Sequence, residues 1–570
     1  MMRYHALACD YDGTIAHHGT VDPATLRALE RLTASGRVLL LVTGRILDDL
    51  KTVFPELGLF HAVIAENGAV LYRPATHEEI VLAEPPPEAF VEELRRRAVT
   101  PLAVGRVIVA TWEPMQVAVM DAIREMGIEL QVIFNKGAVM ILPSGTNKAS
   151  GLRQSLRKLQ LSPHNTVGVG DAENDHAFLS LCECSVAVAN AIPTLKERAD
   201  LVTAGSQGEG VIELIEDLIA TDLASVAPRL VRHELLLGHR EDGTPVQLQP
   251  YGTTVLIAGT SGSGKSTFAS SVLERLSEHE YQYCIIDPEG DYAEFDAAVV
   301  LGDSKRVPSV DEIVELLQKP NQNIVANLLG VSMEHRPALF DTLLMRLQEL
   351  RAWSGHPHWI VVDETHHLMP PAWDPARMVR PQELHGMLLI TVHPEHVAPP
   401  ALASVDTVIA LGEDPDGTIR TFSETLGEDP PQARAGAVGP GEAAIWQRKS
   451  GAPPFRFQTI PPKSERRRHV RKYAHGELGE DKSFYFRGPE QKLNLRAQNL
   501  MIFLQLAEGV DHETWMHHLR EGDYSRWFRE AIKDDVLAEE VQRIERDGGS
   551  AEETRAAIRR IIEERYTAAP

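Results

Sequence analysis

The sequence predicts an α/β protein with two separate, largely parallel sheets, followed by a small α-helical region. Residues 4–215 and 251–458 each alternate apolar runs of strand length with segments of helical periodicity, which is typical of parallel sheets covered by helices. At 570 residues the chain is too long for a single hydrophobic core, so about three domains are expected. We place them at residues 1–220, 221–462 and 463–570.

The first stretch contains core strands and an insertion. Its predicted core strands are Ala6–Cys9, Val38–Val42, Ala62–Ala65, Thr166–Val169 and Ser185–Val188. A proline-rich segment at residues 84–88 interrupts their order. The insertion, about residues 83–142, has two helix-like segments and the strand-like runs Val107–Ala110, Leu130–Phe134 and Val139–Leu142. We interpret it as a small α/β subdomain.

The second stretch follows a connector at residues 216–250 that ends in a small β element. Its predicted strands are Thr253–Ala258, Tyr283–Asp287, Asn323–Asn327, His358–Val362, Met387–Thr391 and Thr407–Leu411. Beyond residue 473 the spacing is helical, with Asp511 and Ser550 as candidate N-caps. Trp515, Trp527 and Phe528 recur at helical spacing there and are predicted to be core residues.

Composition and charge favour a cytoplasmic protein. No run of 18 apolar residues occurs, which argues against a membrane span. Four cysteines suit a reducing compartment and are predicted to be buried thiols. The net charge of −24 opposes attraction to nucleic acid, and the clear basic run is Arg466–Lys472. We interpret that run as a linker, with a nucleic-acid or subunit contact as the alternative, and predict weak DNA binding.

Two carboxylates follow the first predicted strand in the segment Asp10-Tyr11-Asp12-Gly13-Thr14. Strands of a parallel sheet deliver residues to the crevice beyond their carboxyl ends, and Gly13 permits the sharp turn that brings both acids into one space. One carboxylate can attack phosphorus to give an acyl phosphate. The second can protonate the leaving oxygen and later deprotonate water. The segment therefore predicts a phosphoryl-transfer site.

Such a site needs cations, because carboxylate and phosphate repel each other. Lys148 is one candidate, and Mg²⁺ is the other. The metal would be held by Asp10, by the Asp12 carbonyl and by the acidic segment at residues 170–175. Thr43 and Gly44, at the end of the second strand, offer a hydroxyl and backbone N–H groups to the phosphoryl oxygens.

With these four pieces in order, residues 4 to about 215 resemble a haloacid-dehalogenase superfamily phosphatase with a Rossmann-like core. The insertion, preceded by Glu66-Asn67-Gly68-Ala69, resembles the α/β cap of the Cof-type branch. The resemblance implies hydrolysis of small phosphate esters such as sugar phosphates and phosphoglycolate. It also implies the roles of individual residues: Asp10 as nucleophile, Asp12 as general acid/base, Thr43 and Lys148 as phosphate-binding groups, Asp171 as a Mg²⁺ ligand, and Asn174 and Asp175 as supporting or outer ligands.

The second stretch carries a complete phosphate-binding loop between a strand and a helical segment. The loop comprises Gly259, Thr260, Ser261, Gly262, Ser263, Gly264, Lys265, Ser266 and Thr267. Its N–H groups face the phosphates of ATP, Lys265 reaches the β and γ groups, and Ser266 ligates Mg²⁺. A later apolar strand ends in Asp363, which would support Mg²⁺, and Glu364, which would polarise the attacking water.

Two further segments, residues 285–292 and 389–394, resemble the HerA–FtsK class of RecA-like ATPases, and the likeness extends over about residues 238–450. It implies a homo-oligomer, commonly a hexameric ring, in which a neighbouring subunit supplies an arginine. Arg420 is a candidate for that arginine. Most of the class move along DNA, and the acidic charge of this chain argues against that activity.

The main hypothesis is a Mg²⁺-dependent small-molecule phosphatase fused to an oligomeric ATPase. One alternative is an end-processing enzyme similar to polynucleotide kinase-phosphatases, in which Asp287 would serve as the kinase base. The inserted cap argues against it because a cap would crowd a polymer end, and the pair Asp363-Glu364 suits ATP hydrolysis better than transfer. A third hypothesis makes the first domain a phosphate-ester sensor for a HerA-like DNA motor.

Overall fold

The computed structural model describes residues 2–293, 295–374, 384–463, 478, 483–489, 493–532 and 534–566. The predicted basic run Arg466–Lys472 lies outside the described residues. The chain divides into two compact units, Met1–Ile460 and Pro461–Pro570. The first unit contains two extended α/β sheets, as the sequence predicts, while the boundary at residue 220 stays a prediction. Among the described residues, no helix is long and apolar enough to cross a membrane.

Twelve described strands belong to the first α/β region. In chain order they are β1 (Ala6–Cys9), β2 (Val38–Val42), β3 (Ala62–Ala65), β4 (Val70–Arg73), β5 (Glu78–Val81), β6 (Ala103–Val104), β7 (Val109–Trp112), β8 (Leu130–Asn135), β9 (Ala138–Pro143), β10 (Thr166–Gly170), β11 (Cys184–Ala187) and β12 (Leu201–Val202). Eight form the core sheet in the order β12-β11-β10-β1-β2-β3-β4-β5. The central strand β1 lies parallel to both β10 and β2, so the carboxyl ends of these three strands meet at one edge.

The cap is a separate antiparallel sheet in the order β6-β7-β9-β8. It corresponds to the predicted insertion, with strand ends shifted by one or two residues. Val139 and Ile141 of β9 pack with the cap helices, and the paired residues alternate between the two faces of the sheet. The other face of the cap sheet is therefore available to the core.

The second sheet contains the strands β13 (Leu235–His239), β14 (Pro245–Leu248), β15 (Val255–Gly259), β16 (Tyr283–Asp287), β17 (Val299–Leu301), β18 (Ile324–Asn327), β19 (Trp359–Val362), β20 (Met387–Thr391), β21 (Thr407–Leu411), β22 (Glu442–Gln447) and β23 (Phe455–Thr459). Its order is β14-β13-β23-β22-β21-β15-β20-β19-β16-β18-β17. The strands from β21 to β17 are parallel, and β20 lies between β15 and β19. This order brings the ends of the phosphate-loop strand and the acidic strand to the same edge.

Helices of the first unit accompany all three of its sheets. They are α1 (Pro23–Ala34), α2 (Leu47–Val53), α3 (Glu88–Arg96), α4 (Gln116–Met126), α5 (Lys148–Lys158), α6 (His176–Leu181), α7 (Pro193–Lys196), α8 (Gly208–Thr221), α9 (Lys265–Glu278), α10 (Val310–Leu317), α11 (Arg336–Ser354), α12 (Thr365–Leu368), α13 (Pro399–Ala403) and α14 (Pro415–Leu426). The four cysteines are buried and free, as predicted.

The second unit is mostly helical. Its elements are the hairpin β24 (Phe484–Phe486) and β25 (Leu495–Ala497), then α15 (Leu500–Gly509), α16 (His512–Glu521), α17 (Asp523–Glu530), α18 (Asp535–Asp547) and α19 (Ala551–Tyr566). The short hairpin is absent from the sequence prediction. Trp515, Trp527 and Phe528 are buried in the core of this unit, and Asp511 caps α16 through the N–H of Thr514.

Candidate active sites

The first candidate site is centred on a buried lysine. Lys148 is the first residue of α5, where Asn147 and Ser150 form a capping box. Its Nζ lies 2.5 Å from Oδ1 of Asp10 and 2.6 Å from Oδ1 of Asp175. Lys148 is 1% exposed. The end of β1, the start of α5 and the loop after β10 therefore bring together residues that are distant in the sequence.

Burial and charge set the protonation of this cluster. Burial and the Asp175 carboxylate raise the pKa of Asp10, the Lys148 ammonium opposes them, and the net pKa is about 7. Burial lowers the pKa of Lys148, but Asp10 and Asp175 outweigh that effect and the net shift is upward. Lys148 thus stays charged and favours the carboxylate form of Asp10, which is the form able to attack phosphorus.

The second carboxylate of the pair, Asp12, faces an arginine. Nε and Nη2 of Arg45 each lie 2.7 Å from an oxygen of Asp12. The same turn places the buried Thr43, whose Oγ1 accepts the N–H of Arg45 at 3.1 Å. A Cβ added to Gly44 would lie 3.3 Å from the sulfur of Met140 in the cap. Thr43 and Gly44 are predicted from the sequence as part of this site, whereas the contact of the Arg45 side chain with Asp12 is not.

Oxygen donors for a hard cation surround Asp10. Carboxylate oxygens of Asp10, Asp171 and Asp175 lie within 4.8 Å of one another. Oδ2 of Asp175 accepts the N–H groups of Asp171 and Ala172 at 2.8 Å each, which suits Asp175 to hold the loop in place. Oδ1 of Asn174 is buried without a hydrogen-bond partner among the described residues. Such oxygen-rich donor sets suit Mg²⁺.

The cap contributes a lysine that the sequence analysis missed. Lys136, in the β8–β9 turn, places Nζ 2.7 Å from Oδ2 of Asp171 and 3.3 Å from the carbonyl oxygen of Asp12. Nδ2 of Asn190 also reaches Asp171, at 3.3 Å. A lysine at a hairpin turn carries no local signal of this role, because its partners are 35 and 124 residues away.

Glu66 connects the core to the cap. Its buried carboxylate accepts the backbone N–H groups of Arg106, Val107 and Ile108 at 2.8–3.0 Å. The sequence places Glu66-Asn67-Gly68-Ala69 before the cap but does not predict the hydrogen bonds of Glu66 to these three N–H groups. The positive φ of Glu66, +52°, is a conformation that non-glycine residues seldom adopt.

In the second site the phosphate loop leads from β15 into α9. Nζ of Lys265 lies 2.9 Å from the carbonyl oxygen of Thr260. Thr260, Ser261, Gly262, Gly264 and Ser266 are exposed and Ser263 and Thr267 are half-buried. The Ser263 Oγ has no hydrogen-bond partner among the residues described. A Cβ added to Gly259 would lie 2.1 Å from the carbonyl oxygen of Leu411, so only glycine fits the start of the loop.

Asp363 and Glu364 lie at the same sheet edge as the loop. Burial raises the pKa of Asp363 strongly, and the Asp287 carboxylate adds to the rise. Burial also raises the pKa of Glu364, while Lys265 lowers it. Oε2 of Glu364 is buried without a hydrogen-bond partner among the described residues, 3.5 Å from Nδ1 of His366, and its backbone has φ +42°. A strained carboxylate with a free hydrogen-bonding oxygen next to a phosphate loop has the chemistry of a water-positioning group.

Asp287 holds the loop after β16. Its oxygens accept the backbone N–H groups of residues 289, 290, 291 and 292 at 2.8–3.2 Å. This arrangement commits both oxygens to the backbone, which does not suit the kinase-base role considered from the sequence. Arg420 lies exposed on α14.

Comparison with known proteins gives two family matches. Residues 7–98 and 122–215 match haloacid dehalogenase-like hydrolases, and residues 238–351 match the central domain of the helicase HerA. A phosphoglycolate phosphatase of Halorubrum lacusprofundi is 32% identical over 223 residues, which are 37% of this chain and 96% of that protein. One from Methanothermobacter thermautotrophicus is 29% identical over 220 residues, covering 37% and 96%. A solved haloacid dehalogenase-like hydrolase from Bacteroides thetaiotaomicron aligns with 38% of this chain and 99% of its own, at 18% identity and a TM-score of 0.34.

Proposed function

This chain belongs to the haloacid dehalogenase-like hydrolases and also carries a HerA-type ATPase domain, and from that premise we propose a concrete reaction for each site. The first site hydrolyses a small phosphate monoester through an aspartyl-phosphate on Asp10. The second binds and hydrolyses ATP. The observation that carries the first proposal is the buried Lys148 ammonium, which is shared between Asp10 and Asp175.

The proposed phosphatase reaction proceeds in two steps. A carboxylate oxygen of Asp10 attacks phosphorus, and Asp12 protonates the leaving oxygen. Asp12 then deprotonates a water that hydrolyses the acyl phosphate. Lys148 offsets the charge of the phosphoryl oxygens, and Thr43 with the N–H of Gly44 positions them. Arg45 keeps Asp12 oriented through its paired contacts.

We propose Mg²⁺ as the metal of both sites. In the first site Asp10, the Asp12 carbonyl and Asp171 would hold it, with Asn174 and Asp175 as supporting groups. In the second, Ser266 and Asp363 would hold it. The bound cation supplies charge neutralisation for the phosphate oxygens. The clustered oxygens and the unpartnered Oδ1 of Asn174 support this assignment in the first site.

Phosphoglycolate is the substrate suggested by the relatives, which are phosphoglycolate phosphatases aligned over 96% of their length. The inserted cap supports a small ester, because it covers a site that a polymer end would need to enter. Asp287, engaged by four backbone N–H groups, counts against the polynucleotide kinase alternative. The motor-and-sensor hypothesis would lose its support if phosphoester turnover is measured.

For the ATPase we propose a homo-oligomer, with a hexameric ring as one form and Arg420 as the arginine supplied across the subunit boundary. We also propose a cytoplasmic protein with the domain boundaries 1–220, 221–462 and 463–570. DNA binding is expected to be weak because the chain carries a net charge of −24.

The two-site proposal is tested by Asp10→Asn. This variant should lose phosphomonoesterase activity with phosphoglycolate, because an amide cannot form the acyl phosphate, and should keep ATP hydrolysis within about a few-fold. Lys265→Ala is the reciprocal variant and should lose ATP hydrolysis alone. Steady-state assays of both activities on the same preparations make the comparison. Equal loss of both activities in folded Asp10→Asn would contradict two independent sites.

A further inference from the structure

The cap reaches the phosphatase site through a two-residue turn that begins with a lysine. Asn135 pairs with Ala138 at the end of the β8–β9 hairpin, so Lys136 and Gly137 form the turn. Their φ angles are +48° and +85°, which asparagine and glycine adopt more readily than lysine. A side chain with a Cβ meets steric strain in this left-handed region. Strained positions of this kind are candidates for function.

The Lys136 ammonium lies at the boundary between the buried carboxylates and the open cleft. It contacts Asp171 and the Asp12 carbonyl, and a Cβ added to Gly13 would lie 2.8 Å from its Nζ. The Asp171 side chain is 2% exposed, whereas that of Lys136 is 46% exposed.

The site's other cations are engaged within the core. Lys148 is shared between Asp10 and Asp175, and Arg45 binds both oxygens of Asp12. Lys136 is the single lysine of residues 83–142. Lys136 is therefore a half-exposed cation on the cap side of the site. It is placed to bind a negative charge that the substrate carries in addition to its phosphate.

The direction of the reaction places the leaving group on that side. In phosphoryl transfer the attacking and leaving oxygens lie roughly in line through phosphorus. Asp10 is buried in the core beneath the cleft, so a leaving group on the opposite side of phosphorus points toward the cap. Lys136 is carried by the cap turn that reaches this cleft.

The neighbouring cap surface carries an exposed aromatic side chain. In β7, Ala110 pairs with Met140 and Trp112 pairs with Ala138, so these residues share one face of the cap sheet. Met140 on that face meets the core at Gly44. Trp112 is 53% exposed and its large indole therefore stands on the face that is turned to the core.

We propose that Lys136 binds an anionic leaving group, so that the phosphatase site selects small phosphate monoesters that carry a carboxylate close to the phosphate. This inference rests on the phosphatase function proposed above, and it assigns recognition of the substrate carboxylate to Lys136. The ammonium sits on a flexible four-carbon stem, so it exchanges the Asp171 carboxylate for the carboxylate of the ester within the same cleft.

Lys136→Met tests the inference with two esters of similar size, phosphoglycolate and 2-hydroxyethyl phosphate, which lacks the carboxylate. The KM for phosphoglycolate should rise about ten- to a hundred-fold, the range expected for one hydrogen bond to a charged group. The KM for 2-hydroxyethyl phosphate should change little. Lys136→Asn places a residue that suits the turn and should give the same difference in KM between the two esters. This variant therefore controls for a folding defect. Arg124→Met removes an exposed cap cation on α4 and is the matched control.

Binding provides a second readout that does not depend on turnover. Calorimetric titration of phosphoglycolate into Asp10→Asn, in Mg²⁺ buffer, should give a Kd that rises by a similar factor when Lys136→Met is added. Equal effects on both esters, or no effect on phosphoglycolate, overturn the role of Lys136 and leave the phosphatase proposal standing. A wild-type protein that cleaves neither ester, together with no binding by Asp10→Asn, overturns both proposals.

Discussion

At the residue scale, each site depends on a lysine that begins a helix. Lys148 is the first residue of α5 and Lys265 is the first residue of α9, so each lysine belongs to a helix start, where anions are favoured. Their surroundings differ. Lys148 is neutralised by two buried carboxylates, whereas Lys265, within the described residues, has the Thr260 carbonyl as its hydrogen-bond partner. In the proposed reactions the first lysine therefore activates a nucleophile and the second receives a polyphosphate.

Glu364→Gln is expected to separate ATP binding from hydrolysis. The amide keeps the size of the side chain but cannot polarise water as the carboxylate does, so hydrolysis should slow by on the order of a hundred-fold or more. A fluorescent ATP analogue should still bind with near wild-type affinity, and Lys265→Ala, which loses the phosphate contact, should not bind it. Normal hydrolysis by Glu364→Gln would remove the role assigned to this residue.

At the element scale, the cap is tied to the core by a side chain as well as by its two linkers. Glu66 follows β3 and accepts three consecutive N–H groups just before β7. Hydrogen bonds to a buried carboxylate are worth about 1.5–3 kcal/mol each, so the segment between β6 and β7 of the cap is held at one position on the core. Lys136 depends on that position, because its turn joins β8 and β9, the next two strands of the same sheet.

Glu66→Gln should loosen this connection. One carboxylate oxygen becomes an NH₂ group that faces backbone donors, so the amides of Arg106, Val107 and Ile108 should exchange with solvent about ten- to a hundred-fold faster, as expected for the loss of a bond to a charged group. Hydrogen-exchange mass spectrometry of a peptide covering residues 103–112 measures this. Glu78→Gln, at an exposed position of β5, is the control and should leave these amides unchanged.

At the scale of the whole molecule, the two sheets of the first unit meet through a buried, histidine-rich contact. The His164 ring stacks on Tyr281 at 3.7 Å, and the Tyr281 hydroxyl donates to Glu183 at 2.8 Å. His358 accepts the N–H of Gln282 at Nδ1 and donates from Nε2 to the Asn165 side chain. This pattern fits a neutral imidazole in His358. The contact lies at the amino ends of β10, β16 and β19, opposite the ends that carry the sites.

Acidification should weaken this contact. Burial lowers the pKa of His233, whose ring lies 5.3 Å from that of His164, to about 4, and lowers the pKa of His358 well below its usual value. In the unfolded chain the pKa of each of these histidines is about 6.5. The folded state therefore binds fewer protons in this window, so stability is complete above about pH 6.5 and falls as the pH drops toward about 4. The loss is up to about 1.4 kcal/mol per pH unit for each histidine.

Urea denaturation at a series of pH values checks this expectation. His233→Gln should have a shallower fall of the unfolding midpoint between pH 6.5 and pH 4.5, both values lying within the window set by the pKa shifts. His17→Gln, at an exposed position, should follow the wild type. Identical pH profiles for all three proteins would show that buried neutral histidines do not control stability here.

The sequence by itself determined the α/β fold class, most of the strands and the two phosphate-handling segments. Strands such as β16, β20 and β21 are short apolar runs between turn signals, and the loop from Gly259 to Thr267 is a contiguous motif, so local chemistry is enough to predict them. The proposed roles of the site residues rest on motifs near the ends of strands together with the resemblance to known families.

Only the tertiary structure decided which side chains complete those sites. Lys136 meets Asp171 from a separate sheet, Glu66 binds donors about 40 residues away, and Asp287 uses its oxygens on its own backbone. The physical reason is that a hydrogen bond needs its partners within about 3 Å. For residues far apart in the chain, that distance is set by strand order and by the placement of the cap.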